Sequence, residues 1–346
     1  MTGLRVLVDV THPAHVHLFR HAIEALESAG HEVRVTSREK DVTTDLLDAH
    51  DIPHTVLSQR TTGRGGVLRE WIPRALRLLR VARSFRPDVV VSRLNPAATH
   101  VANAIDVPSV VFHDTEVAGV VDRVTTPFAH TVCTPLEYGA DFGGAHVRYA
   151  GFHELAYLHP ARFTPQRERL REHGVRPDEP YAVVRLVDMN AHHDRGHDGF
   201  DPDTVRELCG DLSKHGSVFV TSEGGLPTDL APYELPVPPE AVHDLLAFAD
   251  VYVGDSATMA TEAGVLGTPS VRFDAFGASM GNFDALADYG LVESTTDASE
   301  AAEAAVALAA DPDAGDRWRR RRQQLLAEKI DVTAFVTDVV ENAGRD

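Results

Sequence analysis

The sequence is short of lysine and cysteine, and both shortages narrow the class of protein. Three of its 33 basic residues are lysines, and the 52 acidic residues give a net charge of −19. A carboxylate-rich surface is typical of proteins kept soluble in concentrated salt, and it argues against nucleic-acid binding, which needs a basic footprint. Cys133 and Cys209 form no metal-binding spacing, which favours a reduced, cytoplasmic setting.

Long apolar runs and several well-known motifs are absent as well. No run of about 18 apolar residues is present, so we expect no membrane-spanning helix. The opening MTGLRVLVDV enters a strand without the pattern of a signal peptide. Neither the dinucleotide fingerprint GxGxxG nor the zinc motif HExxH occurs. With 346 residues, of which 43% are hydrophobic, the chain is long enough for two domains with buried cores.

Apolar, strand-like runs alternate with helix-like segments along the whole chain. They cover residues 4–10, 33–36, 55–57, 87–91, 108–112 and 131–134, and then 181–186, 217–221, 251–253 and 268–273. Such alternation predicts an α/β fold with two doubly wound parallel sheets. We assign residues 1–155 to the first domain, 165–330 to the second, and 331–346 to a last helix that crosses back to the first. A connector around residues 151–165 is expected to serve as a hinge between the two domains. Ligands of such sheets bind at the carboxyl ends of the strands, so the site is expected in the cleft between the domains.

The segment Asp250 to Phe273 is the most informative stretch of the second domain. It predicts a strand, a tight turn, a helix that ends at a glycine, and a second strand. The turn brings Ser256, Ala257 and Thr258 to a helix N-terminus, where free N–H groups favour a diphosphate. Glu262 follows one turn later and is placed to accept hydrogen bonds from a ribose. The alternative is that the turn merely caps a structural helix.

Further donor contacts are predicted at other strand ends of the second domain. Arg185 ends one strand and is suited to pairing with a diphosphate. A flexible turn after the next strand is suited to holding a base or a phosphate, and its residues are Glu223, Gly224 and Gly225. The loop between these strands carries His192 and His193, which we predict to contact substrate. A metal site in this loop is the alternative, but the ligand spacing is irregular and we expect no metal.

The first domain carries the candidate acid-base residues. His15 stands between the first strand and the first helix, and it is a candidate base or substrate contact. Asp114 and Glu116 lie just past another strand end and are alternative candidates, unless that loop only caps the next helix. Arg93 and Asn95 follow a further strand and are weaker candidates for substrate contacts.

One basic segment breaks the acidic trend. Seven arginines and one acid lie between residues 64 and 86, and apolar residues from Trp71 to Ala82 recur at helical spacing. Four of the arginines share another helical face, namely Arg69, Arg77, Arg80 and Arg83. Such a basic amphipathic helix is either a solvated helix packed on the core or a docking surface for anionic lipid headgroups or a lipid-linked substrate.

Three stretches together resemble the GT-B superfamily of nucleotide-sugar enzymes. LVDVTHPAHVHLFRHAIEALESAGHEVRVTS resembles the opening of GT-B glycosyltransferases, including the N-acetylglucosaminyltransferase that completes lipid II. PDVVVSRLNPAATHVANAIDVPSVVFHDTE resembles non-hydrolysing UDP-N-acetylglucosamine 2-epimerases, and ADVYVGDSATMATEAGVLGTPSV resembles the diphosphate and ribose motif of both. HPAHVHLF, DTE and YLHP are similar to the largely archaeal domain of unknown function 354 family.

The resemblance implies a GT-B fold, with two Rossmann-like domains facing across a cleft. It implies a glycosyltransferase that uses a nucleotide diphosphate sugar, UDP-linked, to modify a lipid-linked or surface-glycan acceptor. In this reading His15 is the loop histidine of the family and Glu262 the ribose-binding acid, and no cofactor is required. The alternatives are a sugar-nucleotide epimerase and a non-catalytic sugar-nucleotide-binding protein. The protein is expected in the cytoplasm, at the inner membrane face if the acceptor is a lipid.

Overall fold

The structure, a computed structural model, describes residues 3–59, 66–116, 119–187, 199–222, 225–275, 277 and 281–345, without the side chains of residues 66–69. The chain divides into two compact units. Unit 1 comprises residues 1–162 and 329–346, and unit 2 comprises residues 163–328. The roles of acceptor and donor domain that the sequence suggests for the two parts stay predictions.

Unit 1 is built around a sheet of seven parallel strands. Its elements are β1 (Arg5–Val10), α1 (Pro13–Ser28), β2 (Glu32–Glu39), α2 (Thr43–Ala49), β3 (His54–Gln59), α3 (Gly66–Phe85), β4 (Val89–Arg93), α4 (Pro96–Ala104), β5 (Ser109–Phe112), α5 (Val120–Thr125), β6 (Thr131–Pro135), β7 (His146–Tyr149), α6 (Leu155–Leu158) and, from the end of the chain, α14 (Val332–Ala343). The strand order is β3-β2-β1-β4-β5-β6-β7, and every neighbouring pair is parallel. The chain therefore reverses its direction of winding between β1 and β4.

Unit 2 repeats this plan with five parallel strands. Its elements are α7 (Arg167–Glu172), β8 (Tyr181–Leu186), α8 (Pro202–Leu212), β9 (Ser217–Ser222), α9 (Val242–Phe248), β10 (Val251–Gly254), α10 (Ala257–Leu266), β11 (Ser270–Phe273), α11 (Gly281–Asp288), β12 (Val292–Thr295), α12 (Ala298–Ala310) and α13 (Ala314–Glu328). The order is β12-β11-β10-β8-β9, all parallel, so the winding reverses between β8 and β10. Open α/β sheets bind ligands at such a reversal point, beyond the carboxyl ends of the strands.

The central strands are the apolar runs from which the sequence predicted them. β4, β5, β10 and β11 are buried along almost their whole length, because helices cover both faces of a parallel sheet. The α/β fold with two doubly wound sheets is therefore confirmed. Several short elements of unit 1 were not predicted, among them α4 and β7. Helix α4 has the weakly amphipathic sequence PAATHVANA, and β7 is a four-residue edge strand with a mixed burial pattern.

The expected connector at residues 151–165 is in part an element of unit 1. Residues 151–158 are buried there, and they include helix α6. Helix α14 packs against this segment, and the Thr333 hydroxyl donates a hydrogen bond to the carbonyl of Ala156 (2.6 Å). The prediction of a flexible connector was wrong for these eight residues, because their apolar side chains fill the space between α1 and α14.

Helix α3 does not present the single apolar face that the sequence predicts. Its C-terminal half packs Leu78, Ala82 and Phe85 into the core, as expected. In its N-terminal half Glu70 and Arg74 are buried, whereas Trp71 and Ile72 are 38% and 62% exposed. Trp71 and Ile72 belong to the apolar residues at helical spacing, but they do not share the buried face of Leu78, Ala82 and Phe85. This half lies over polar strand ends, so buried ion pairs replace apolar packing there.

Candidate functional site

Three titratable side chains meet at the carboxyl ends of the strands in unit 1. Arg93 ends β4, Asp114 lies two residues past β5, and His153 precedes α6. The Arg93 guanidinium pairs with one carboxylate oxygen of Asp114, and the other oxygen lies 2.8 Å from Nδ1 of His153. Burial, followed by the positive charge of Arg93, holds the pKa of His153 well below its usual range. The Asp114 carboxylate therefore lies between Arg93 and His153, at the centre of a buried cluster.

His15 lies in the first turn of α1, beside this cluster. Its Nδ1 accepts from the backbone N–H of Thr11 (3.3 Å) and lies 3.4 Å from the Thr11 hydroxyl. Thr11 therefore offers a donor to one tautomer of the ring and an acceptor to the other. Burial, and then the positive charge of Arg93, lower the pKa of His15 well below its ordinary value, so the ring is neutral near pH 7. Burial is the main cause of this lowered pKa.

Two titratable residues of the loop after β5, His113 and Glu116, have different surroundings. His113 is buried, 2.7 Å from the Tyr138 hydroxyl and 3.0 Å from Asp122, and burial lowers its pKa to about 4. His113 therefore connects α5, through Asp122, to the loop after β6, through Tyr138. Glu116 is partly buried two residues beyond Asp114, and its proposed role stays a prediction.

A second buried network lies under the N-terminal half of α3. Arg74 donates to both oxygens of Asp9 (2.7 and 2.9 Å), and Asn95 donates to the same carboxylate. Glu70 accepts two hydrogen bonds from Arg38, both of 2.6 Å. The network joins the ends of β1, β2 and β4 to α3. Asn95 also caps α4 by accepting from the N–H of Ala97 (3.0 Å), and it thereby fixes the start of this helix.

In unit 2, the turn after β10 has the geometry that the sequence predicts for a helix N-terminus. Ser256 caps α10 and its hydroxyl accepts from the N–H of Met259 (3.4 Å). Ala257 and Thr258 form the first turn and are partly exposed. The carboxylate of Asp255 accepts from the N–H of Val187 (2.7 Å) and so ties the turn to the end of β8. Ser256 thus has the capping role, and anion binding by the first N–H groups of α10 stays a prediction.

Two arginines flank this turn. Gly254 is in register with Arg185 of β8 on one side and with Arg272 of β11 on the other. A Cβ atom on residue 254 would lie 2.5 Å from the Arg185 carbonyl oxygen, so the close approach of the strands requires glycine. Arg185 donates to Thr221 (3.1 Å), and Arg272 pairs with Asp274 (3.0 Å). The sequence analysis missed Arg272, although it ends its strand as Arg185 does.

Glu262 is more deeply placed than a simple ribose contact. It is 4% exposed on α10, and its Oε1 lies 3.0 Å from Nε2 of His243 on α9. Since His243 is 2% exposed, the pair is buried between two helices. His243 therefore orients the Glu262 carboxylate, and a ribose contact stays a prediction.

Several predicted residues lie outside the described part of the chain. They are His192, His193, Glu223 and Gly224. The neighbouring Gly225 is exposed with a φ of 78°, a backbone region that favours glycine. Among the residues that the structure describes, no group of three or more histidine, cysteine, aspartate or glutamate side chains is arranged to hold a metal ion.

Comparison with solved structures shows the fold. A protein assigned as a UDP-N-acetylglucosamine 2-epimerase from Listeria monocytogenes is similar with a TM-score of 0.68 and 13% identity, over 96% of this chain and 94% of that one. The glycosyltransferase SsfS6 from Streptomyces sp. SF2575, solved with thymidine diphosphate, is similar with a TM-score of 0.61 and 14% identity, over 97% and 99% of the two chains. The chain thus has a GT-B fold of two Rossmann-like domains.

Comparison with other sequences shows the family. The uncharacterised protein MJ0665 from Methanocaldococcus jannaschii is 24% identical over 281 residues, which are 78% of this chain and 82% of that protein. A family described as a protein of unknown function, DUF354, matches residues 4–344. Because the match spans nearly the whole sequence, the chain belongs to the DUF354 family.

Proposed function

We propose that the protein is a glycosyltransferase that moves a sugar from a nucleoside diphosphate, UDP in the simplest case, to a lipid-linked or surface-glycan acceptor. The observation that carries the proposal is the row Arg185, Gly254 and Arg272 beside the first turn of α10. Two cations and free helix N–H groups around a residue without a side chain suit a diphosphate. SsfS6, with the same fold, was solved with thymidine diphosphate.

The proposed chemistry needs no metal ion. As the bond from the sugar to the diphosphate breaks, negative charge grows on the leaving oxygen. The N–H groups of Ala257 and Thr258 and the two arginines stabilise that charge without reorganising. On unit 1, the base is the neutral His15 tautomer in which Nδ1–H donates to the Thr11 hydroxyl instead of accepting from the Thr11 N–H. In this tautomer Nε2 takes the proton of the attacking hydroxyl. Asp114 and Glu116 are the alternative bases, and Asp114 would first have to leave Arg93.

The donor site is tested by binding. Nucleoside diphosphates and their sugars are screened in concentrated salt by thermal shift, because a ligand that binds the native state raises its stability. Glu262→Gln is expected to weaken UDP binding by about 10- to 150-fold, since hydrogen bonds to a charged group contribute about 1.5–3 kcal/mol. Calorimetry measures the affinity.

A comparison with 2′-deoxy-UDP separates ribose binding from support of His243. If Glu262 binds the ribose, the wild type prefers UDP and the Glu262→Gln variant loses that preference. If Glu262 only positions His243, the variant loses the same factor in affinity for both ligands, and the preference for UDP remains. That second outcome, or the absence of a shift with any nucleotide, contradicts the assignment of the donor site.

An epimerase is the second candidate, because clustered acid-base groups on unit 1 also suit removal of a proton from a sugar carbon. The Listeria protein of similar fold is assigned to that reaction. The two activities differ in their need for an acceptor. Incubation of UDP-N-acetylglucosamine in D₂O without acceptor would show deuterium incorporation and a second sugar by NMR if the protein is an epimerase. A transferase leaves the sugar unchanged, and a binding protein turns over nothing with any acceptor.

We also propose that α3 contacts the membrane that holds a lipid-linked acceptor, at the cytoplasmic face. Ile72 and Leu76 are 62% and 50% exposed, and Arg80 and Arg83 are exposed further along the helix. Arg77 is exposed but donates to the Leu57 carbonyl (2.6 Å), and the Arg69 side chain lies outside the described residues. Within the described residues, no helix is long and apolar enough to cross a bilayer. The contact would therefore be peripheral.

Charge reversal at Arg80 and Arg83 tests this contact. The double variant Arg80→Glu, Arg83→Glu is expected to lose most binding to vesicles that contain anionic lipid, because each basic residue near the surface contributes about 1 kcal/mol. Flotation measures the bound fraction. The effect shrinks in concentrated salt, where the Debye length falls to about 3 Å at 1 M, whereas an Ile72→Asp variant loses binding at every salt concentration. Wild-type protein that never floats would refute the proposal.

A further inference from the structure

A small cavity opens at the point in unit 1 where the winding reverses between β1 and β4. Its volume is about 120 Å³. It therefore fits part of one ring rather than a nucleotide. The polar groups that line it are Thr11, Arg38, Glu70, Arg74 and Asn95, with Trp71 beside them.

At about 120 Å³ the cavity has less than half the volume of the smallest typical ligand pockets, which begin at about 300 Å³. One sugar ring, partly inserted, is the largest ligand that this space suits.

The charges around the cavity are paired with one another. Arg38 is held by Glu70 at 2.6 Å, and Arg74 is held by Asp9 at 2.7 Å. The formal charges of these four residues sum to zero, and each cation already faces a carboxylate. An incoming anion would meet Glu70 on the cavity wall as well as Arg38 and Arg74. The cavity therefore favours a neutral polar ligand over a phosphate or a carboxylate.

The same groups retain hydrogen-bonding capacity for a ligand. Arg74 is 3% exposed, and its Nε is buried without a hydrogen bond to any residue in the described part of the chain. A buried donor without a partner is costly, and a ligand hydroxyl would satisfy it. Trp71, which is 38% exposed, adds a flat apolar surface beside these planar polar groups. A ring with an apolar face and hydroxyls at its edge matches this combination.

We propose that this cavity binds a neutral sugar ring, which stacks on Trp71 and donates or accepts hydrogen bonds at Arg74 and Asn95. Thr11 lines the cavity and also contacts His15, so a bound sugar lies beside the proposed base. The role of this sugar as the acceptor rests on the proposed transferase function. The binding itself does not, since every residue that carries it belongs to unit 1.

The two tryptophans of the chain allow a direct test. Trp318 is 1% exposed, whereas Trp71 is accessible, so quenching of fluorescence by acrylamide reports mainly on Trp71. The probes are the methyl glycosides of glucose, galactose, mannose and N-acetylglucosamine, titrated into the high millimolar range. At least one is expected to protect Trp71 in a saturable manner. No protection by any of the four overturns the proposal, and so does protection by inorganic phosphate alone.

Variants locate the binding independently of fluorescence. Trp71→Ala is expected to lower the affinity for the glycoside that binds best by about 3- to 10-fold, which is the range expected for stacking on an aromatic face. Phe128→Ala is the matched control, because Phe128 is an aromatic residue of unit 1 that is 47% exposed and does not line the cavity. Ligand-observed NMR measures both affinities. Equal weakening by the two variants would contradict stacking on Trp71.

The proposed function is tested by a separate measurement, which is the thermal shift with nucleotides. Sugar binding at Trp71 without any thermal shift by nucleotides would support the cavity and refute the donor site. A nucleotide shift without sugar binding would support the donor site and refute the cavity.

Discussion

Replacement of His15 by alanine is expected to slow sugar transfer by about 10²- to 10⁴-fold, the usual contribution of a general base. The ring is neutral because burial and Arg93 lower its pKa, so it is ready to accept a proton near pH 7. Nucleotide affinity is expected to stay unchanged, since the proposed donor residues belong to unit 2. Turnover is measured with the donor and acceptor that pass the binding screens, and affinity by calorimetry.

Two further variants show whether the loss is specific to His15. His130→Ala removes an exposed histidine of the same unit and is expected to leave turnover intact. Thr11→Val keeps the backbone N–H but removes the hydroxyl that accepts from Nδ1–H, so it should lower kcat by less than His15→Ala does. Wild-type turnover in His15→Ala would exclude this residue and leave Asp114 and Glu116. A loss of nucleotide affinity would mean that donor and acceptor roles are exchanged between the units.

Acidification from pH 7 to pH 4.5 is expected to destabilise unit 1 by several kcal/mol. Burial lowers the pKa of His12 and of His113 to about 4, from the ordinary value of 6.5. A histidine with a lowered pKa binds its proton in the unfolded chain first, so its stabilising effect is full above pH 6.5 and is lost as the pH falls towards 4. For His113, which is 1% exposed, the shift corresponds to about 3 kcal/mol.

Fluorescence can assign the acid transition to one unit. In the Trp71→Phe variant the remaining Trp318 reports on unit 2, and calorimetry reports on the whole chain. Calorimetric unfolding is expected to begin at a pH where Trp318 is still native. His113→Phe should shift that first transition to lower pH, because it removes one titrating group. Simultaneous loss of both signals would contradict a transition confined to unit 1.

The sequence predicted the two sheets because buried parallel strands are continuous apolar runs. It was less successful where a segment is short or its environment is polar. Strand β7 has four residues of mixed burial, and residues 151–158 resemble a linker because a histidine and an acid interrupt their apolar positions. Only the packing of α14 against α6 shows that this segment belongs to a core.

The choice of candidate site residues also depended on whether the signal was local in sequence. His15, Asp114 and Ser256 were chosen as candidates because each follows a predicted strand end. His153 was not chosen, since its place beside Asp114 depends on a contact between residues 39 positions apart, which no local pattern shows. The burial of Arg74 and the exposure of Trp71 were not predicted, because helical periodicity locates faces but does not show which face meets a polar strand end.

The return of α14 to unit 1 has a consequence for synthesis on the ribosome. The sheet of unit 1 is complete at Tyr149, but the apolar side chains of Val332, Val336 and Val340 that cover it are made after unit 2. Unit 2 is continuous in sequence and needs no later segment. The emerging chain can therefore finish unit 2 while unit 1 still exposes the surface that α14 will cover. In such a chain a segment made after the second unit decides when the first unit becomes native.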